Sequence, residues 1–240
     1  MKHNHIFAAL AGSIAVCTAL TGCASAAPDV NAEQTAAAAA TITLNGGSAS
    51  VQGKGAAVQG TVITISDAGT YRITGTLDDG QIVIDAGKDD AVTLVLDNAN
   101  ISCSNSAGIY AKQAGTTTLL LQDGTQNSVS DAAQYAYPDG GDEPDAAIFA
   151  KDDLTIAGSG TLTVTGSFNN AIGSKDNLLI ESGTLIVTAA NDGLRGRDSV
   201  TITDGNFTID AQGDGIKSNN DEDAEKGWIT IAANTRNFFP

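Results

Sequence analysis

From residue 148 onward the sequence returns to itself every 22 to 24 residues, and that period limits the fold more than anything else in the chain. Ala147-Ile148-Phe149-Ala150-Lys151-Asp152 aligns with Ala171-Ile172-Gly173-Ser174-Lys175-Asp176. Gly193-Leu194-Arg195-Gly196-Arg197-Asp198 and Gly215-Ile216-Lys217-Ser218-Asn219-Asn220 follow in the same pattern. The apolar anchors Ile148, Ile172, Leu194 and Ile216 are spaced 24, 22 and 22 residues apart. Gly108-Ile109-Tyr110-Ala111-Lys112 is an earlier copy, 39 residues before Ile148. Each interval carries two further alternating runs. Leu154 and Ile156, Leu178 and Ile180, Val200 and Ile202, then Ile229 and Ile231 form one set; Leu162 and Val164, Leu185 and Val187, Phe207 and Ile209 form the other.

Alternation of period two between Gly, Asn and Asp marks half-buried strands. Three short strands per repeat, none able to bury its apolar face alone, describe one coil of a three-sided stack. The expectation is therefore an all-β fold, a right-handed parallel β-helix (solenoid) of about 22-residue coils. A β-sandwich is the competing arrangement and leaves the constant spacing unexplained. Two segments interrupt the repeat. Ser130 to Asp145 carries Tyr135, Tyr137, Asp139, Asp142, Glu143 and Asp145, and Asp221 to Gly227 carries Asp221, Glu222, Asp223 and Glu225. Long excursions from a regular stack are where function concentrates, against the plainer account of two solvated loops.

The N-terminus is read as targeting. Lys2 precedes an apolar run from Ile6 to Leu20 that ends in Leu20-Thr21-Gly22-Cys23. That is a lipobox arrangement, with Cys23 the lipidation site; an ordinary signal peptide cut near Ala24 to Ala27 is the alternative. The organisation expected is a lipoprotein signal peptide over 1–22, a flexible tether over 23–40 and a binding domain over 41–240. This places the domain outside the cytoplasm, on the cell membrane or surface, tied to the membrane through the lipid alone. With Cys17 and Cys23 in that region, Cys103 is alone in the domain and no internal disulfide is expected. His3 and His5 also precede Cys23, so histidine triads and histidine zinc sites are not expected beyond it. The net charge is −16, which argues against nucleic acid as a partner. A monomer is favoured.

Three stretches carry a family resemblance: Asp145-Ala146-Ala147-Ile148-Phe149-Ala150-Lys151-Asp152-Asp153-Leu154, Asn191-Asp192-Gly193-Leu194-Arg195-Gly196-Arg197-Asp198 and Gly213-Asp214-Gly215-Ile216-Lys217-Ser218-Asn219-Asn220-Asp221. With Gly69-Thr70-Tyr71 and Leu94-Val95-Leu96-Asp97, they resemble a bacterial carbohydrate-binding domain family with a pectate-lyase-like parallel β-helix. The resemblance runs from about Thr41 to Ile231. It implies binding of cell-wall polysaccharide, cellulose-like and pectic, with bound calcium. Members of such a family continue with more coils after the Trp228 strand, which makes this chain resemble a C-terminally truncated member.

Equivalent positions in neighbouring coils lie about 4.8 Å apart, so like residues form touching columns. Asp152, Asp176 and Asp198 stand four residues after their anchors, and Asp192 and Asp214 stand two before theirs. Two carboxylates about 5 Å apart repel by roughly 3 kcal/mol at an effective dielectric near 20. A calcium ion would offset that repulsion, whereas turn capping by Asp and Asn is the structural alternative. Lys112, Lys151, Lys175 and Arg197 occupy the third position after the anchor, and Arg195 and Lys217 the first. This row of cations suits an extended polyanion such as pectic acid, with Tyr110 and Phe149 alongside as a small stacking surface. The candidate carbohydrate contacts are Lys151, Lys175, Arg195, Arg197, Lys217, Tyr110 and Phe149. A polysaccharide lyase using Arg195, Arg197 or Lys217 as base beside calcium is the rival reading, and a surface adhesin or spacer is the third.

Overall fold

The computed structural model describes residues 38–137 and 140–232. The targeting segment with Cys23, most of the tether and Asp139 lie outside the described residues. Among those described, every regular element is a strand, as the period-two runs require.

The strands form two sheets. The larger is built around three long strands, β1 (Ala40–Gly46), β5 (Gly69–Leu77) and β7 (Ala91–Ser102), with β5 paired in parallel to β1 on one side and β7 on the other. β2 (Ala49–Gly53) closes the β1 edge as an antiparallel hairpin. From β7 the sheet continues along two flanks. The first half of β7 pairs with β9 (Thr116–Leu121), followed by β12 (Asp153–Gly158), β15 (Asn177–Ile180), β18 (Ser199–Ile202) and β21 (Trp228–Ile231). Its last residues pair with β10 (Gln126–Ser130), followed by β13 (Thr161–Gly166), β16 (Thr184–Ala189) and β19 (Asn206–Ala211). The smaller sheet runs β3 (Ala56–Gln59), β4 (Val62–Ile65), β6 (Gln81–Asp85), β8 (Ile109–Gln113), β11 (Ala146–Ala150), β14 (Asn170–Ser174), β17 (Leu194–Gly196) and β20 (Ile216–Lys217). It is mixed, because β3 and β4 are antiparallel.

This corrects the expected right-handed parallel β-helix. Two of its three anticipated walls are one sheet, curled as a half-barrel, and the smaller mixed sheet packs across it in a sandwich-like arrangement. The reason lies in the long strands. β7 does not break where the repeat predicts a corner; it bends there, with Asn98 at φ 53°. β5 bends beside it through a register shift between Ile73 and Gly75. Gly75 has φ 95°, and a Cβ there would lie 2.3 Å from the Leu44 carbonyl oxygen, so only glycine fits.

The repeat alignment itself survives. Ile148 pairs with Ile172, Ile172 with Leu194, and Leu194 with Ile216. The first three are buried in one continuous core with Leu154, Leu178, Val200, Leu162, Leu185 and Phe207. Ile216 is half-buried, and Ile229 and Ile231 are exposed, because no strand stacks beyond them among the described residues.

Candidate functional site

Outward residues of the smaller sheet form one column across neighbouring strands: Val83, Tyr110, Phe149, Gly173, Arg195 and Lys217. Phe149 leans towards the bare backbone of Gly173, where an added Cβ would come within 3.3 Å of the ring. The ring is 3% exposed, so Phe149 is a floor and not the ligand contact expected for it. Tyr110 lies beside it, half-buried, with ring centroids 6.0 Å apart.

The insertion before β11 folds back over this face. Its anchor is Asp131, which accepts hydrogen bonds from the Tyr135 hydroxyl at 2.6 Å and the Ser167 amide at 2.5 Å. Tyr135 stacks on Phe168 with centroids 4.3 Å apart, and Tyr137 meets the same ring edge-on. Burial pushes the Asp131 carboxyl above its usual range despite those donors. Burial likewise pushes the Tyr135 phenol up, and the adjoining carboxylate adds to it. The Tyr137 hydroxyl donates to the Pro144 carbonyl at 2.8 Å, which closes the tip of the loop onto its own base.

Between loop and sheet lies a groove of about 460 Å³. One wall comes from the sheet and its adjoining turn: Gln81, Val83, Asn105, Ser106, Tyr110 and Lys112. The other comes from the insertion: Ala136, Tyr137, Gly141, Glu143 and Pro144. Such a volume suits one to a few sugar rings. Gln81 is already held, donating to Ser106 Oγ and to the Ala107 carbonyl. The groove therefore presents two tyrosines, amides and hydroxyls, with one lysine and one glutamate that are each ion-paired outside it.

The row of cations is where the sequence placed it, but each member faces a carboxylate. Lys112 pairs with Asp85 at 2.8 Å, and Lys151 with Glu143 at 3.0 Å. Glu143 also accepts from Lys175. Arg195 reaches Asp145 at 2.8 Å and Arg197 reaches Glu222 at 2.7 Å. Lys217 lies between Asp192 at 3.0 Å and Asp214 at 3.3 Å. Both interruptions of the repeat thus supply counter-charges, a role the sequence reading did not give them. Lys226, also unforeseen, holds Asp198 at 2.6 Å, with Asn220 donating to the same carboxylate.

The residues expected to hold calcium do not fit it in this arrangement. Asp192 is almost wholly buried, yet its partners are the Lys217 ammonium and the Asp214 amide. Asp152 accepts from the Ala114 amide, the role of a turn cap. Asp176 makes no ion pair or side-chain hydrogen bond to the described residues; burial, then the charges of Asp198, Asp153 and Asp152, push its carboxyl up. Among the described residues no three His, Cys, Asp or Glu side chains come together closely enough to bind a metal ion.

The fold thus places a groove large enough for a sugar ring over its smaller sheet. A model for carbohydrate-binding domain-containing proteins matches residues 59–237, and the chain belongs to that family. A carbohydrate-binding domain-containing protein of Acetivibrio thermocellus is 41% identical over 183 residues, which is 75% of this chain. The match spans 64% of that relative's length. A solved structure described as the polysaccharide lyase-like protein from C. thermocellum, in its gadolinium derivative, superposes with a TM-score of 0.79 at 41% identity. The match covers 80% of this chain and 78% of that one.

Proposed function

We propose that the chain binds polysaccharide without cleaving it, and that the groove between the insertion and the smaller sheet is the site. The observation that carries this is the groove itself, with Tyr110 on one wall and Tyr137 on the other. Sugar rings offer apolar faces to aromatic side chains and hydroxyls to amides, and both are present here. Both charged lining residues, Lys112 and Glu143, are already ion-paired, which favours an uncharged glycan.

Catalysis by β-elimination needs a deprotonated base. Lys217 is held in the opposite state: the Asp192 carboxylate, then Asp214, raise its ammonium above the usual range. Arg195 is engaged by Asp145 at 2.8 Å. The test is binding of a soluble neutral β-glucan by calorimetry, paired with an ultraviolet assay for unsaturated uronate. Tyr110→Ala should weaken binding about tenfold, roughly 1.4 kcal/mol. Unchanged affinity in that variant would move the site elsewhere, and uronate product formation would make the protein a lyase.

Pectic acid with calcium is the second reading, favoured by the regular cation row and by the unpaired Asp176. Calcium rests there on the family resemblance and contributes nothing to the groove as described. It would have to displace Lys217 from Asp192 and Asp214, and a calcium-dependent rise in melting temperature is its test. Surface attachment through Cys23 is proposed on the Leu20-Thr21-Gly22-Cys23 motif. Cys23→Ala should release the protein from membranes.

A further inference from the structure

Glu143 has two roles that no single stretch of sequence shows together. Its side chain lines the groove, and its carboxylate bridges Lys151 and Lys175, which follow the neighbouring strands β11 and β14. The carboxylate is only 20% exposed. Burial alone would push its carboxyl up; hydrogen bonds from Lys175 and Lys151 outweigh that and hold it below the usual range. It is therefore ionised at neutral pH, and the two lysines beside the groove are already engaged by an anion belonging to the chain.

We propose that Glu143 is a specificity-determining residue: by occupying Lys151 and Lys175 it denies them to a uronate carboxylate and tunes the groove to uncharged sugar. This deepens the assignment of the groove as the glycan site and rests on it. An acidic glycan entering the groove meets no unpaired cation, because Lys112 is held by Asp85 and both Lys151 and Lys175 are held by Glu143. A neutral glycan needs no cation and loses nothing by this pairing. Electrostatic selection of this kind works through the unfavourable partner as much as the favourable one.

The experiment compares full-length protein binding to polygalacturonate and to a soluble neutral β-glucan, at low and at 0.2 M salt. Glu143→Gln keeps the shape of the side chain and releases both ammonium groups. The ratio of polygalacturonate to β-glucan affinity should rise about tenfold at low salt, equivalent to about 1.4 kcal/mol. Added salt should erase the gain, since exposed charges are screened within about 10 Å at 0.1 M. The triple variant E143Q/K151Q/K175Q should lose the gain at any salt. A folded E143Q with an unchanged ratio overturns the proposal, as does a gain that persists in the triple variant. If E143Q does not fold, the parent and K151Q/K175Q decide. Weak polygalacturonate binding, equal in both, supports the proposal. Salt-sensitive binding in the parent that K151Q/K175Q removes refutes it. Failure of the groove assignment is distinguishable, because Tyr110→Ala would then leave binding of both polymers intact.

Discussion

Replacing Tyr135 by Phe removes one hydroxyl and leaves the ring on Phe168. The hydroxyl donates at 2.6 Å to Asp131, a carboxylate that is 9% exposed. Hydrogen bonds to charged groups contribute about 1.5–3 kcal/mol, and a buried acceptor stripped of a donor also carries its desolvation cost. Asp131 retains the Ser167 amide, so the loss should fall near the middle, at about 2 kcal/mol. For a domain of this size each kcal/mol moves the melting temperature roughly 2–4 °C, giving a fall of about 4–8 °C if the insertion unfolds with the rest. If it opens locally, the melting temperature holds and the cost appears as weaker glycan binding, because only the closed fraction offers a complete groove. Differential scanning calorimetry and glucan titration on the same sample separate the two routes. Tyr135→Leu should cost about 1 kcal/mol more by removing the stack on Phe168 as well. A Tyr135→Phe protein that melts within 1 °C of the parent and binds β-glucan equally well would refute the anchoring role of this bond.

Three further perturbations probe the core, the buried charge and the pH response. Ile172→Ala, in the buried stack between Ile148 and Leu194, should cost about 3 kcal/mol and lower the melting temperature by about 6–12 °C; a shift under 2 °C would mean that the stack is not packed as described. Lys217→Met leaves Asp192 buried without its ammonium; because Lys217 is itself 35% exposed, the loss in urea unfolding should be about 2 kcal/mol, below the usual range for a fully buried pair. The raised carboxyl of Asp131 contributes stability that is present below its unfolded value and lost as pH rises through its folded one. Asp131→Asn lacks that dependence, so the parent should gain on the variant as pH falls from 7 towards 4, and parallel stability curves would contradict the shift.

What the sequence made legible was the part governed by neighbours along the chain. Alternation placed Leu154, Leu162, Leu178 and Leu185 inward, and the 22-residue spacing placed Ile172 beside Leu194. The joining of two walls into one sheet was not legible. It depends on β7 bending at Asn98 where later coils break, and nothing in a hydrophobic period separates a bend from a break. The candidate site was half visible. Lys151, Lys175 and Arg195 were found as a row, but their partners lie far off in sequence: Glu143 is 32 residues from Lys175, and Asp145 is 50 from Arg195. The acidic residues of the insertion were noted as a group, and their alternation with lysines of different coils has no local signal. Burial of Phe149 was hidden for a related reason, since it follows from the missing side chain of Gly173 in the next coil.

The continuity of β7 gives the molecule a direction of disassembly. Strands on both flanks take their register from it, each hydrogen-bonded to the strand one repeat earlier, so backbone contacts past β7 reach back only a few tens of residues. Among the described residues the strands farthest from β7 are the least covered: Ile229 and Ile231 are each 44% exposed on β21, and β20 is two residues long. Thermal or chemical stress should therefore open the exposed β21 and the short β20 before β12 and β9, while β1, β5 and β7 hold. Amide exchange would record this as a gradient, with protons in β7 outlasting those in β12, and those in β12 outlasting those in β18. The groove lies against β6 and β8, close to the end that opens last, so a partly frayed molecule keeps the framework of its binding site.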